Sequence, residues 1–366
     1  MSEKLDTDVA ASVEAATMAQ MSDMDIEDVY TLMDVQLRDR PGPRELYYRW
    51  ERQNWSAGDI DLTKDVEDWK SLPEMLRTEI LGIFLAFFLG EAAVTDTLSP
   101  LVHAAPTDED RQFLSTQLVD EARHTIFFQR FFGEVIGMDF EEAKEQAVRY
   151  GLTHTTDYGY GRVFYVDLVE TTEALRVDPG DYGKFLDSIV EYHMLVEGML
   201  ALQGQRQILR GARAFGMVPG FRAGFTAVTR DESRHVNYGV YALAEGVKAG
   251  YHDRIVDFTR DHLNAIADVN TRSEVEIPMP SDEQIAMMEA MLPSGIGIDD
   301  FMDQGQFPIM QLKKRLRSAG ISDDALGPLE EQWFARREQN FDDYEAMFGT
   351  EHPIRRRRER LKARQS

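Results

Sequence analysis

The pentapeptide Asp-Glu-Ala-Arg-His at 120–124 returns as Asp-Glu-Ser-Arg-His at 231–235. Each copy sets a carboxylate and an imidazole three residues apart. On an α-helix that spacing places Glu121 beside His124, and Glu232 beside His235, on one face. Two such pairs on two helices, joined by one glutamate from each of two further helices, make the donor set of a dinuclear carboxylate metal site inside a four-helix bundle. One Glu-x-x-His pair arises by chance on many helices. Two near-identical copies, flanked by apolar helices that each supply a glutamate, are much harder to reach by accident.

The other two glutamates are expected on those apolar helices. Ahead of the first motif, Ser71-Leu-Pro-Glu74 reads as a helix start, with a capping serine and a proline near the first turn. It leads through an uncharged run at 80–90 to Glu91-Ala-Ala-Val94, where a carboxylate is hard to solvate. Between the motifs, Glu191-Tyr-His-Met-Leu-Val-Glu197 sets Glu197 in a similar environment. Singly, Glu91 also reads as a snorkelling side chain and Glu197 as an exposed residue of an amphipathic helix. With the repeat, they complete the set Glu91, Glu121, His124, Glu197, Glu232 and His235. Four ionised glutamates are neutralised by two divalent cations. Without cations, carboxylates crowded in an apolar interior take up protons or repel one another.

The elements that must hold these residues are helices. The chain of 366 residues has few alternating strand-like runs and no Gly-rich phosphate loop. The fold class expected is all-α: a ferritin-like four-helix-bundle core over 55–265, N-terminal peripheral helices over 1–54, and a helical extension with a basic tail over 266–366. Helix breaks are expected at Pro100, Pro106, Gly137, Pro179-Gly180 and Pro219-Gly220. The absence of cysteine excludes disulfides and thiolate sites, leaving hard oxygen and imidazole ligands. Manganese and iron suit these; zinc fits the ligand types as well.

A net charge of −25 argues against a nucleic-acid surface. It suits a salt-rich cytoplasm, or simply an acidic enzyme. The run at 80–90 reads as too short to span a bilayer, and Met1-Ser-Glu-Lys-Leu-Asp lacks a signal-peptide pattern, so a cytoplasmic location is expected. The basic segment Arg355–Arg358 reads as a solvated tail folded back on acidic surface, and Met287, Met288 and Met291 as packing.

The ligand pattern, with Asn54-Trp-Ser-Ala-Gly-Asp-Ile-Asp61 and Asp68-Trp-Lys-Ser-Leu72, resembles the ribonucleotide reductase small-subunit superfamily from about Trp55 to about Tyr241. Gly90-Glu-Ala-Ala-Val-Thr95 and Tyr192-His-Met-Leu-Val-Glu197-Gly-Met-Leu-Ala-Leu202 look most like its small-subunit-like ligand-binding oxidases. That resemblance implies a homodimer, a mixed manganese/iron or di-iron centre, a long-chain fatty acid near the metals, and an ether bond joining Val94 to Tyr192. It also implies that Asp231 supports a ligand histidine and that Trp55 belongs to the same hydrogen-bond network. The alternative within the superfamily is a reductase small subunit working with a large catalytic subunit. There a radical tyrosine commonly stands where this chain has Phe128, although some small subunits carry phenylalanine and use a manganese–iron pair.

Periodicity supports Val94, three residues beyond Glu91 on the same face. Tyr192 lies five before Glu197, about 140° away on a regular helix, so a π-bulge is required to bring both to one centre. Phe84, Phe87, Phe88 and Phe128 are expected to wall a water-poor ligand pocket. Arg123 and Arg234 are expected to point outward toward acidic neighbours.

Overall fold

A computed structural model describes residues 2–149, 152, 156–277, 279–294, 296–301 and 305–365. Among them the regular elements are helices, and no strand occurs. Those that bear on the site are α1 (Ile26–Asp39), α2 (Pro43–Arg52), α3 (Glu74–Thr97), α4 (Asp108–Phe131), α5 (Tyr182–Ile189 continuing through Val190–Ala201 and Leu202–Ala214), α6 (Pro219–Lys248), α7 (His252–Asp268), α8 (Gln306–Ala319), α9 (Asp323–Phe348) and α10 (Pro353–Gln365).

The bundle is α3, α4, α5 and α6. Helix α3 packs on α4, α4 on α6, and α6 on the middle of α5. Helix α4 starts on Thr107, whose side chain accepts from the Asp110 amide, and its first turn carries Asp108, Glu109 and Asp110 against the positive helix end. Helix α6 starts on Val218, held at a left-handed φ of 47°. That conformation is unfavourable for a β-branched residue. Two buried aspartates hold it: Asp68 accepts from the Val218 amide (2.8 Å), and Asp65 accepts from the Gly220 and Phe221 amides (2.8 and 2.6 Å).

Ser71 does not cap α3. It ends the preceding helix, Thr63–Ser71, and its hydroxyl donates to the Asp68 carbonyl. Leu72 ahead of Pro73 is extended, as pre-proline sterics favour, and Pro73 itself takes the N-cap place. The apolar stretch at 80–90 belongs to a longer one: Leu76–Ala104 is long and apolar enough to cross a membrane by length and composition. Here it takes in α3 from Leu76 onward, which packs against α4 and carries the buried Glu91.

Val190–Ala201, the centre of α5, is π-helical over twelve residues. A π-helix bonds i to i+5, so residues five apart stack. The bulge that Tyr192 and Glu197 required is present and extends over several turns.

The flanking segments pack on the bundle. Val29, Leu32 and Met33 of α1 are buried, and Tyr30 donates to the Leu202 carbonyl (2.7 Å). Helix α8 packs on α6 and on the π-helical part of α5, where Arg315 donates to the Gly198 carbonyl. The basic C-terminal segment is helix α10, folded back on acidic surface. Arg355 pairs with Glu338, Asp342 and Glu345, and Arg360 pairs with Asp299. Met288 is buried, while Met287 and Met291 are exposed.

Candidate metal centre

Six side chains from the four bundle helices converge. One group, Glu91, Glu121, His124 and Glu232, and a second, Glu121, Glu197, Glu232 and His235, each offer ligand atoms lying within 4.8 Å of one another. Glu121 and Glu232 belong to both. All six are buried. His124 Nδ1 lies 3.4 Å from Glu91 Oε2 and 3.4 Å from Glu121 Oε2, and His235 Nδ1 lies 3.1 Å from Glu197 Oε1 and 3.2 Å from Glu232 Oε2.

The far side of each imidazole is fixed by a carboxylate from the opposite motif. His124 Nε2 faces Asp231 Oδ2 at 3.3 Å, and His235 Nε2 faces Asp120 Oδ2 at 3.2 Å. Each Nε2–H therefore donates to an aspartate, and each Nδ1 lone pair is turned to the glutamates. Each aspartate also accepts from a tryptophan: Trp55 Nε1 donates to Asp231 (2.7 Å) and Trp50 Nε1 donates to Asp120 (2.8 Å). The repeated pentapeptide thus builds two Trp–Asp–His chains related by approximate symmetry. The family resemblance implied the Trp55 chain and not the other, because Trp50 precedes the recognised segment and no spacing ties it to Asp120.

The two arginines of the motifs turn inward, not outward as expected. Arg234 is 1% exposed and donates to Asp231 (2.6 Å), Asp120 (2.9 Å) and the side chain of Gln53 (2.5 Å). Arg123 lies 3.2 Å from Asp120 and 3.5 Å from Asp231, over the Trp55 ring. Two aspartates buried between helices need cations, and within the motif the arginines are the cations within reach. Gln117 and His193 were also missed. Gln117 donates to Glu197 (3.2 Å) and accepts from His193 Nε2 (3.0 Å). Gln117 stands four residues before Glu121, a helical spacing that would have found it.

The donor set fits a pair of metal ions. His124 Nδ1 and Glu197 Oε2 are buried without a hydrogen-bond partner. Both are lone-pair atoms aimed into a cluster of acceptors, a place a cation satisfies and a neutral group does not. The electrostatics agree. Burial, with Glu121 and Glu232 nearby, pushes the Glu91 carboxyl up to about 8 despite His124. Burial and the neighbouring Glu232 raise Glu197 as well. Burial disfavours protonated His124 and His235, but the carboxylates around them hold both well above the ordinary imidazole value. Left to themselves these side chains hold protons, and two divalent cations would take the protons' place.

A cavity of about 390 Å³ opens onto the cluster and reaches Glu91, Glu121, Glu197 and Glu232. Val94 and Tyr192 both line its inner end, and Tyr192 donates to Glu121 Oε1 (2.8 Å). Of the four phenylalanines expected on its wall, Phe87 is there. Phe84, Phe88 and Phe128 are not. They interlock with Phe131, Phe132, Phe221 and Phe225 in the core behind it, because their side chains leave α3 and α4 on the faces turned to α6 and to the end of α4. Tyr160 and Phe164, from outside the bundle, supply the aromatic wall instead.

The model of the ribonucleotide reductase small chain matches residues 39–269. The chain belongs to the ribonucleotide reductase small-chain family. Among solved structures it is similar to a single-substitution variant of an R2-like ligand-binding oxidase with an aerobically reconstituted Mn/Fe cofactor. That match has 24% identity and a TM-score of 0.61, covering 76% of this chain and 94% of that one. It is also similar to the R2-like ligand-binding oxidase from Sulfolobus acidocaldarius, at 22% identity and a TM-score of 0.56 over 78% of this chain and 93% of that one. A variant with an aerobically reconstituted Fe/Fe cofactor matches at 24% identity and a TM-score of 0.61, over 76% and 93%. At these identities the likeness establishes the fold.

Proposed function

We propose that the protein is a dioxygen-activating oxidase that acts on a C–H bond of an apolar, fatty-acid-like ligand. The observation that carries this reading is the cavity, mostly apolar along its wall and ending on four of the six candidate ligands. Glu91, Glu121, His124, Glu197, Glu232 and His235 are the residues that would hold two ions, manganese and iron or two irons. Such a pair supplies electrons to dioxygen and the oxidising power for hydrogen abstraction. The chain supplies the setting. Asp120 and Asp231 fix the imidazoles, and the apolar wall admits an acyl chain while keeping bulk water away. Burial and Glu121 raise the Tyr192 phenol, so its proton stays on Oη, donated to Glu121.

The same reading assigns Val94 and Tyr192 an ether link, formed by loss of one hydrogen from each residue with dioxygen as oxidant. Aerobic loading with manganese and iron, followed by peptide mapping, tests it. Val94 and Tyr192 peptides joined and two hydrogens lighter are expected; separate peptides, with oxygen consumed normally, would exclude the link. The oxidase reading itself is tested by metal content and oxygen uptake of the reduced protein. A Glu121→Ala/His235→Ala protein that still consumes oxygen would overturn it.

A second reading, the small subunit of a ribonucleoside-diphosphate reductase, is favoured by the Trp55–Asp231–His124 chain. Phe128 does not decide between the two readings, since some small subunits carry phenylalanine there. Against the second, Tyr344 is 2% exposed and accepts from the Ile277 amide, unlike an electron-transfer tyrosine on a flexible tail. Nucleotide reduction in a mixture with a large reductase subunit would decide for it. Either reading places the protein in a homodimer; exposed Val119 and Ile126, seven apart on α4, offer an apolar face for the contact.

A further inference from the structure

The ligand cavity runs between α3 and α5, outward from the metal cluster. One wall follows α3 from Glu91 through Phe87 to Ile83, and the other follows α5 from Glu197 through Gln203 to Gln207. Ile83 is 49% exposed and marks the outer end. Gln203 lies six residues beyond Glu197 on α5, at less than the ~9 Å of a regular α-helix because the chain is π-helical as far as Ala201.

Three amides line the cavity: Gln207 is half-buried, Asn270 is exposed, and Gln203 is buried. Gln203 is 5% exposed. A carboxamide brings two donor hydrogens and an acceptor oxygen. The Gln203 amide is not among the buried polar atoms that lack a partner, so it opens to the cavity, where water pairs with it until a bound chain replaces that water. The group that replaces it is uncharged. Among the described residues lining the cavity there is no lysine, arginine or histidine, and the inner end holds four glutamates. A second carboxylate or a phosphate at this depth would find no cation.

We propose that Gln203 is a recognition site within the cavity, and that the ligand is a long apolar chain bearing an uncharged hydroxyl or carbonyl part-way along its length. The proposal rests on the apolar-ligand reading above and sharpens it. Gln203 selects oxygenated chains over plain ones, and its distance from Glu197 sets which carbon carries the oxygen.

Palmitate and a set of mid-chain monohydroxylated palmitates, competing with a fluorescent fatty acid for the metal-loaded protein, provide the test. The wild type is expected to bind one hydroxylated isomer about fivefold more tightly than palmitate, the worth of one neutral hydrogen bond. Gln203→Leu is expected to abolish that preference, to bind palmitate at least as well, and to melt at or above the wild-type temperature when ligand-free. Equal affinities in the wild type, or a preference that survives Gln203→Leu, would overturn the proposal while leaving the apolar cavity intact. A fall in melting temperature for the ligand-free variant would also overturn it, since the amide would then be satisfied by the protein. If no chain displaces the reporter, the apolar-ligand reading fails and this site fails with it.

Discussion

Arg234 is the side chain on which the two halves of the centre meet. One guanidinium nitrogen serves both Asp120 and Asp231, and those aspartates orient His235 and His124. Burial opposes ionisation of Asp231, yet the charges of Arg234, His124 and Arg123 outweigh it and hold the carboxyl far below its ordinary range. Replacing Arg234 by leucine fills the same space but strands two buried negative charges. A loss of about 3–5 kcal/mol in urea unfolding is expected, together with weaker metal retention on dialysis against a chelator. A loss under about 1 kcal/mol would mean that Arg123 alone compensates both aspartates. The sequence made the arginine legible as a member of the repeat but not as a buried cation. Periodicity places Asp120, Arg123 and Arg234 on faces of single helices, whereas the need for a cation arises only when α4 and α6 are brought together.

At the scale of elements, the π-helical centre of α5 decides whether Tyr192 reaches the centre. Its register depends on Gly198, where a Cβ would sit 2.8 Å from the carbonyl oxygen of His193, a backbone atom that cannot swing away. Gly198→Ala is expected to force that turn toward α-helical register at a cost of about 1–3 kcal/mol. It should turn Tyr192 away from Glu121 and lower the melting temperature and metal content together. Unchanged metal content would show that the register is set elsewhere. The need for this bulge was readable from the five-residue spacing of Tyr192 and Glu197; its length was not, because hydrogen-bond slippage along a helix leaves no hydrophobic pattern. The cavity wall was harder still. Tyr160 and Phe164 lie outside the four periodic helices, and phenylalanines on α3 could not be divided by sequence between core and cavity.

The junction of α9 and α10 has its own titration. Burial drives His352 down to about 4. Its Nε2–H donates to the Thr271 carbonyl (3.1 Å), its Nδ1 accepts from the Ile354 amide, and its ring meets Phe341 and Tyr344, with Glu345, Arg337 and Arg355 as the charged neighbours. The folded-state value lies below the ordinary 6.5 of histidine, so the unfolded chain binds the proton first as pH falls. Stability from His352 is present above about 6.5 and lost progressively toward about 4, amounting to about 1–2 kcal/mol after allowance for solvent screening. Compared with His352→Asn, the wild type's advantage in melting temperature should shrink between pH 7 and pH 5. An advantage that is constant or grows would refute this.

Across the whole molecule, 65 acidic residues oppose 40 basic ones. Helix α10 answers part of that imbalance by setting Arg355, Arg358 and Arg360 against Glu338, Asp342, Glu345 and Asp299. The excess is spread over the surface as long-range repulsion that disfavours the compact state. Added salt acts on both kinds of interaction. It weakens exposed ion pairs, worth about 0.2–1 kcal/mol each, and it screens repulsion among charges more than about 10 Å apart at 0.1 M ionic strength. With a net charge of −25 the second effect should win, because most of the acidic excess has no local partner to lose. The melting temperature of the metal-loaded protein is expected to rise by several degrees between low-salt buffer and about 1 M NaCl. Most of that rise should come below about 0.3 M, where the screening length contracts fastest. A rise that instead continues linearly at high salt would indicate exclusion of the salt from the surface. A flat or falling curve would show that the ion pairs, α10 among them, contribute more to the fold than the acidic excess removes.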